Sequence, residues 1–347
     1  MTEDFKRNPV RLSYAFIVLT FAVVAWLHLT TPLLAALFSY FALTKLHFIK
    51  GWSKWVAVAL FLGVVAGVTY GTVLFVHRTL DALPEIMDKA IPSIIAWAEK
   101  YQVELPFTDY ESLKSLATEA TRDQENFLSK FAHFARDAST QLLFLVVGLV
   151  VAISVFLNAR LELDRDQHAL QNNLYSLCCD EIAARFATLY RSFATVMGAQ
   201  MTIAAINTTL TAIFVLAVHL PHPVVVIGVT FFCGLVPIIG NLMSNAIIVA
   251  IGFIVSPEMA LGALVFLVVI HKLEYFLNSK IIGARIHNPV WVTLLGLFLG
   301  EKLMGIPGMI LAPVLLNYLK TEMAQIEVKP APTPAPAPDA APPPSAV

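Results

Sequence analysis

The sequence predicts an all-α polytopic membrane protein with about eight transmembrane helices, broken or re-entrant helices in its C-terminal half and a small helical extracytoplasmic segment. Of the 347 residues, 58% are hydrophobic and 14% are charged, whereas an ordinary soluble domain has about 45 to 50% and about 25%. The mean hydropathy is +0.73. The stretch from Ser192 to Pro257 has 66 residues without Asp, Glu, Lys or Arg, and one helical crossing needs only about 20.

Uncharged stretches place the individual spans in chain order. The 66-residue stretch offers about three crossings, divided by turn signals at 219–223 and 237–241. Two further apolar segments follow at 259–276 and 288–318. The four predicted spans that precede them are about 12–29, 32–44, 56–76 and 142–157.

The distribution of Lys and Arg predicts the orientation. Three basic residues precede the first span, three lie between the second and third, four between the fourth and fifth, and three from Lys272 to Arg285. The alternate short loops have none. Because cytoplasmic loops carry the excess of basic residues, the N-terminus is predicted to be cytoplasmic. Eight crossings would return the C-terminus to the same side.

Amphipathic stripes and composition complete the organisation. Apolar residues recur at helical spacing after residue 78, and Ile182, Phe186, Leu189 and Phe193 form one face of the inner loop. The predicted parts are the N-terminal tail with transmembrane helices 1 to 3 (1–77), the extracytoplasmic helical segment (78–137), transmembrane helix 4 (138–158), cytoplasmic amphipathic helices (159–192), the C-terminal transmembrane and re-entrant core (193–320) and a disordered Pro/Ala-rich tail (321–347).

The sequence lacks the short motifs that mark several classes of enzyme and metal site. The sequence has no G-x-x-x-x-G-K-[ST], H-E-x-x-H, C-x-x-C or G-x-S-x-G run. We therefore do not expect an enzyme, a cofactor or a metal, and any transport would be secondary or passive. The formal charge of −1 gives no basic surface for nucleic acid. Membrane lipids are the first expected partners.

Polar residues inside apolar spans are candidate functional groups, because hydrocarbon offers them no hydrogen bonds. Gln200, Asn207 and Thr211 are seven and four residues apart, so they share one helix face that could line a solute pathway. The alternative is structural. Hydroxyl groups often bond to their own helix, and an Asn often bonds to a neighbouring helix.

Gly and Pro interrupt two apolar segments at corresponding places, a pattern that points to discontinuous helices around a solute site. Ordinary proline kinks or short surface loops are the alternative. The interrupting residues are Pro237, Gly240 and Asn241 in the first segment and Gly305, Pro307 and Gly308 in the second.

The last apolar segment is too long for one straight crossing. Its 30 or so residues would extend roughly 45 Å as a helix, and the hydrocarbon core is about 30 Å thick. We predict a re-entrant pair of helices, about 290–299 and 303–318, with a turn near 300–307. A continuous helix would place Glu301 and Lys302 near the bilayer centre, where charges are costly.

Two further sets of residues have open interpretations. His271 and Glu274, together with Glu301 and Lys302, could handle protons or cations. The alternative for His271 and Glu274 is an interfacial anchor, and Glu301 and Lys302 would need water or a partner near the tip of the re-entrant segment. A third set forms a small-residue face for helix packing within or between subunits, and consists of Gly63, Gly67 and Gly71.

The sequence around the Gly and Pro interruptions resembles the motifs of a known protein family. The run from Gly234 to Gly240, the run from Glu274 to Gly283 with Asn288-Pro289, and the run from Gly300 to Pro313 resemble motifs of the autoinducer-2 exporter (AI-2E) family of permeases. The resemblance covers roughly residues 10 to 320. It implies about eight spans with re-entrant elements, an inner (plasma) membrane location, cytoplasmic N- and C-termini and a homo-oligomer.

The resemblance also implies a function. Family members are similar to exporters of the furanone autoinducer-2, and some are similar to sodium/proton antiporters. We expect a secondary transporter or permease that exports a small polar, autoinducer-2-like solute. A Na⁺/H⁺ or other cation/proton antiporter and a non-transporting membrane scaffold or regulator remain alternatives.

Overall fold

The computed structural model describes residues 3–48, 53–102, 127–158, 173–236, 239–281 and 289–326. Pro237, the tail beyond 326 and the central parts of the predicted outer and inner segments lie outside this range. All regular elements among the described residues are α-helices, as predicted. The nine helices are α1 (Glu3–Trp26), α2 (Thr30–Leu46), α3 (Lys54–Tyr101), α4 (Phe127–Leu157), α5 (Leu174–Ala217), α6 (Pro223–Gly234), α7 (Ile239–Val255), α8 (Pro257–Ile281) and α9 (Val290–Met323).

Five helices in the described part of the chain are long and apolar enough to cross a membrane. Two shorter apolar helices, Pro223–Gly234 and Gly240–Val255, fall below the length of a full crossing. The structure thus agrees with a multi-pass protein, whereas the count of eight crossings remains a prediction. The five candidate spans are Pro9–Trp26, Lys54–Ala82, Thr140–Leu157, Leu174–Ala217 and Trp291–Met323.

One bundle joins α1, α2 and α4 to the first halves of α3 and α5. Phe193 of α5 is fully buried, with its ring centroid 4.9 Å from that of Phe38 on α2. Helices α2 and α4 approach so closely that a Cβ on Gly148 would lie 2.5 Å from the Pro32 carbonyl oxygen. The Lys54 ammonium donates to two carbonyl oxygens in the last turn of α4, which have no partner within their own helix.

Helices α3 and α5 are much longer than one bilayer crossing. They contain 48 and 44 residues, or about 72 and 66 Å at 1.5 Å per residue. Helix α3 continues without a break from the predicted third span into the predicted outer segment. Its continuation packs through small side chains at Ala82, Ala90 and Ala98, which are all buried. Helix α5 likewise includes the stripe from Ile182 to Phe193 that the sequence placed in a separate inner segment.

A second bundle forms where the C-terminal halves of α3 and α5 meet α6, α7 and α8. Val215, Val226, Ile248, Ile251 and Ala263 share its apolar core. Helices α7 and α8 form an antiparallel pair: a Cβ on Gly252 would lie 2.8 Å from the Ala260 Cα near their connection, and Asn241 contacts Glu274 at the far end. The pair packs along the extension of α3, where the Trp97 and Phe253 rings are 5.8 Å apart.

Helix α9 is a hairpin that folds back at Gly305. Gly305 has φ 65° and ψ −156°, a conformation that is open almost only to glycine. A Cβ on Gly296 would lie 3.0 Å from Leu316 Cδ1, and one on Gly300 would lie 2.5 Å from the Gly308 carbonyl oxygen. In a straight helix residues 296 and 316 would be about 30 Å apart. The two arms are therefore antiparallel.

The turn of this hairpin is shorter than the sequence predicted. Residues 300–304 stay helical, and only Gly305 leaves helical geometry. Pro307 begins the second arm rather than ending the first. The first turn of a helix tolerates proline because the missing N–H would have no partner there.

The second arm of α9 packs against α5 and α1. Leu311 and Val314 are fully buried in a core that includes Phe193, Met197 and Ile17. Farther along, the Tyr14 hydroxyl donates to Glu322 Oε2 at 2.9 Å. The start of α1 and the end of α9 thus lie at the same end of the bundle.

Candidate functional site

Two helical hairpins of opposite direction meet beside the middle of α5. The first consists of α6 and α7, which turn so tightly that a Cβ on Gly240 would collide with the Cys233 carbonyl oxygen. The second is α9. Val236, after α6, packs against Leu297, Met309 and Ala312 on both arms of α9. We call this the tip contact. It brings together the two interrupted segments that the sequence singled out.

Gln200 fastens the first hairpin to α5. Its Nε2 donates to the Gly234 carbonyl oxygen at 2.7 Å, and that carbonyl lies in the last turn of α6, where the helix supplies no donor. Gln200 therefore has a structural partner as well as a position near the hairpin tips. Thr211, which the sequence placed on the same face of α5, is 1% exposed.

A polar cluster lies beside these tips and is formed by Asn207 (α5), Asn241 and Asn245 (α7), and His271 and Glu274 (α8). Asn241 Nδ2 donates to both Glu274 carboxylate oxygens, at 2.9 and 3.0 Å. Asn207 Nδ2 donates to Glu274 Oε2 at 3.2 Å. Three helices thus converge on one carboxylate.

His271 extends the cluster along α8. Its Nε2 lies 2.6 Å from Asn245 Nδ2, and its Nδ1 lies 3.4 Å from Glu274 Oε2. When the Asn245 amide donates to Nε2, the neutral ring carries its proton on Nδ1, toward the carboxylate. His271 is 41% exposed and Glu274 is 15% exposed in their side chains. The cluster can therefore connect a buried carboxylate with a more accessible ring.

The cluster is rich in acceptors and poor in positive charge. Among the described residues, no Lys or Arg forms an ion pair with Glu274. Two amide groups and the nearby N-terminus of α7 compensate its charge instead. Asn207 Oδ1 and Thr208 Oγ1 are buried and have no partner in the described part of the chain. An unpartnered buried acceptor is costly, so a ligand that brings donors or a positive charge would complete the site.

Sequence reasoning found most members of the cluster but not Asn245. The missed signal is the spacing of four between Asn241 and Asn245, which places both on one face of α7. The sequence had singled out His271 and Glu274 at a spacing of three on α8. Each polar face could be recognised from its own spacing. That the two faces meet depends on the antiparallel packing of α7 and α8.

Other predicted site residues take different places. Glu301 and Lys302 pair with each other at 3.3 Å with side chains 43% and 63% exposed, and no contact between them and Glu274 occurs among the described residues. Gly305 forms the turn of α9, and Pro307 and Gly308 lie in the first turn of its second arm. Apart from the adjoining residues and backbone of the same helix, the described residues place no atom within 4 Å of a Cβ on Gly63, Gly67 or Gly71, so none of them covers this face.

A family of known proteins matches most of the chain. A model of the family described as "AI-2E family transporter" matches residues 13–327. A Bacillus subtilis (strain 168) protein named "Putative transport protein YdbI" is 28% identical over 198 residues. That match covers 56% of this chain and 56% of the relative, so the chain spans little more than half the length of the curated relative.

Proposed function

Because the chain belongs to the AI-2E family of transporters, we propose that it is a secondary transporter that exports a small polar solute, with the polar cluster as its binding site. The observation that carries the proposal is the Glu274 carboxylate, held by Asn207 and Asn241 from two other helices beside the tip contact. Broken helices around a polar midpoint are the arrangement in which many secondary transporters bind their solutes.

The acceptor-rich cluster favours one class of solute. A carboxylate and the free Asn207 Oδ1 can accept hydrogen bonds from hydroxyl groups or from a cationic group. An anion would meet the Glu274 charge without a basic counterpart among the described residues. Autoinducer-2, a small hydroxylated furanone, fits this preference, whereas an organic phosphate or carboxylate does not.

The family and the packing support further parts of this proposal. We propose an inner-membrane protein with cytoplasmic N- and C-termini, in which α9 and the α6–α7 pair re-enter from opposite sides. The proximity of Tyr14 and Glu322 supports termini on one side. We also propose a homo-oligomer, for which the uncovered face of Gly63, Gly67 and Gly71 is available.

Efflux of autoinducer-2 from cells that express the chain tests the solute and the site together. Glu274→Gln and Asn207→Ala should each lower the efflux rate about 10- to 100-fold, because a hydrogen bond to a charged group contributes about 1.5 to 3 kcal/mol. Matched controls are Glu258→Gln, at the exposed start of α8, and Thr209→Ala, whose exposed hydroxyl donates to the Ala205 carbonyl oxygen of its own helix.

The controls should retain efflux close to that of the unaltered chain. Equal efflux from the Glu274→Gln variant and the unaltered chain, at equal amounts of membrane protein, would contradict the binding site. A chain that tolerates every substitution in the cluster would instead favour the scaffold or regulator.

Cation/proton antiport is a second candidate, and a specific observation favours it. Glu274 and the unpartnered Asn207 Oδ1 supply oxygen ligands, while His271 Nδ1 lies 3.4 Å from the carboxylate. Everted membrane vesicles loaded with acridine orange would show proton release on addition of Na⁺ or Li⁺. A cation-dependent signal that Glu274→Gln abolishes and Glu258→Gln retains would establish antiport. A signal that Glu274→Gln leaves intact would remove the cluster from it.

A further inference from the structure

A second buried polar network lies at the opposite end of the α9 arm from the tip contact. Arg185 Nη1 pairs with Glu322 Oε2 at 2.7 Å, and Arg185 Nη2 pairs with Glu181 Oε2 at 2.9 Å. The Tyr14 hydroxyl donates to the same Glu322 oxygen, and the Arg185 guanidinium lies 4.5 Å from the centroid of the Tyr14 ring. Three helices, α1, α5 and α9, therefore meet at one ion pair.

The Arg185–Glu322 ion pair is largely buried, so each charged group needs a well-placed partner. The Glu322 side chain is 4% exposed and that of Arg185 is 12% exposed. Loss of Arg185 would leave the buried Glu322 charge uncompensated, which is far more costly than loss of a surface pair. By contrast, the exposed His77–Asp81 pair on α3 has side chains 75% and 61% exposed.

The rest of the contact between α9 and α5 cannot fix the position of the arm so sharply. Leu311, Val314 and Tyr318 form an apolar stripe on α9 that Glu322 continues. Apolar packing is non-directional, so it tolerates small rotations and axial shifts of a helix. The forked guanidinium bonds Glu322 on α9 and Glu181 on its own helix, and such paired bonds depend strongly on direction.

We propose that Arg185 and Glu322 are positioning residues for transport, which set the rotation and height of the second α9 arm and thereby hold the tip contact in place. Glu322 lies 17 residues beyond Gly305, or about 26 Å along a helix. A rotation or shift at the anchored end is carried along this rigid arm to Met309 and Ala312, which belong to the cluster that Val236 packs against. Arg185 and Glu322 thus act at a distance from the polar cluster, and only their effect on transport rests on the proposed function.

Three buried atoms of the network have no partner in the described part of the chain, namely Arg185 Nε, Glu322 Oε1 and Tyr318 OH. Tyr318 and Glu322 are four residues apart on α9 and so lie on the same face. The network therefore has unused bonding capacity, which a second arrangement of the arm could satisfy.

Cross-linking of the tip contact tests the inference without any solute. In a chain with Cys178, Cys179 and Cys233 replaced by Ala, cysteines at positions 236 and 309 would be joined by a short thiol-specific reagent in membranes. Arg185→Met combined with Glu322→Leu replaces the ion pair with apolar groups, a change that buried pairs often tolerate in stability. We expect the cross-linking rate to fall about tenfold, because the arm loses its directional anchor.

Three further variants keep the test independent of folding. Glu322→Gln preserves the shape and should lower the rate in the same direction. Arg185→Glu with Glu322→Arg, made together with Glu181→Gln to remove a like-charged neighbour, should restore it. Asp81→Asn breaks the exposed pair on α3 and should leave the rate unchanged. An unchanged rate in both Arg185→Met/Glu322→Leu and Glu322→Gln would overturn the inference.

Solute efflux then separates this inference from the proposed function. The Glu322→Gln variant should lower the maximal efflux rate while the solute concentration at half-maximal rate stays within about twofold, because the polar cluster is intact. Loss of cross-linking without any Glu274-dependent efflux would support the anchor and contradict the proposed solute site. Unchanged cross-linking in the Glu322→Gln variant, together with efflux that depends on Glu274, would support the proposed solute site and contradict the anchor.

Discussion

At the scale of single residues, the buried acceptors distinguish the site from ordinary helix packing. An Asn that only joins two helices has both ends of its amide satisfied, whereas Asn207 donates to Glu274 and leaves its buried Oδ1 without a partner among the described residues. Gln200 gives the contrast on the same helix, since its amide donates to a helix end. The two residues looked equivalent in the sequence and differ in the structure.

Some residues of the site were predictable and others were not. Asn207, Asn241 and Glu274 stood out because polar groups are rare in uncharged apolar stretches. The contacts among them could not be predicted, since 67 residues separate Asn207 from Glu274 and local periodicity does not extend that far. Arg185 and Glu322, 137 residues apart, went unnoticed because charges at the ends of spans are common.

A pH-dependent prediction concerns the exposed part of α3 beyond its candidate span. The Lys89 ammonium, which donates to Glu85 at 2.7 Å, lowers the pKa of the Glu85 carboxyl below its ordinary value. A depressed carboxyl pKa stabilises the fold above the unfolded-state pKa, and this stabilisation disappears as the pH falls through the folded-state pKa. Lys89→Met should therefore lower the midpoint of thermal unfolding slightly at pH 7.

The same variant should have no effect in acid. Once Glu85 is protonated in both chains, the difference between their unfolding midpoints should vanish, and added salt should shrink it at pH 7 because the pair is exposed. Thermal unfolding in detergent between pH 7 and pH 3.5 gives both comparisons. A difference that grows toward low pH would show that Lys89 acts through some other contact.

At the scale of helices, the positions of the breaks were the most predictable feature. The 66-residue uncharged stretch divides at 218–222 and after Gly234, close to its Gly and Pro signals. The continuity of α3 and α5 was harder to predict, because a change from apolar to polar surface looks like the end of a span. In the structure each helix continues past that point, and only the character of its exposed face changes from apolar to polar.

Gly305 offers a test of the α9 turn. Its positive φ is strained for any residue with a Cβ, so Gly305→Ala should lower the free energy of unfolding by about 1 to 3 kcal/mol. Gly67→Ala is the matched control. It lies in a regular helix with no atom of the described chain within 4 Å of a new Cβ, so it should be neutral or stabilising by up to about 1 kcal/mol.

Chemical or thermal unfolding of the two variants in the same detergent provides the measurement. The prediction fails if both substitutions have the same effect, because the turn would then not need a glycine. Loss of stability at Gly67 alone would point to a neighbouring subunit on that face.

At the scale of the whole molecule, two bundles share two long helices, and the polar cluster lies beside the place where opposed hairpins meet between them. Residue patterns predicted an all-helical membrane protein and the family. Which hairpins pack against each other depends on contacts between residues far apart in the sequence. The distribution of charge and the positions of local breaks do not reveal such contacts. The tip contact between Val236 and both arms of α9 is the clearest example.

The sidedness of α9 distinguishes a re-entrant hairpin from a crossing. Trp291 and Met323 lie near the two ends of α9 and are 67% and 69% exposed. Because the arms are antiparallel, both ends lie on one side of the molecule, and the Tyr14–Glu322 contact places that side with the start of α1. The excess of Lys and Arg on the loops of this side predicts that it is cytoplasmic.

Single cysteines at 291 and 323, in a chain without its three native cysteines, should therefore react with a membrane-impermeant thiol reagent only after spheroplasts are permeabilised. A cysteine at Asp109, in the predicted outer segment, should react in intact spheroplasts and serves as the control. Labelling of positions 291 and 323 from opposite sides would show that α9 crosses the membrane. Labelling of both from outside would reverse the predicted orientation but keep the hairpin, because the two ends would still share one side.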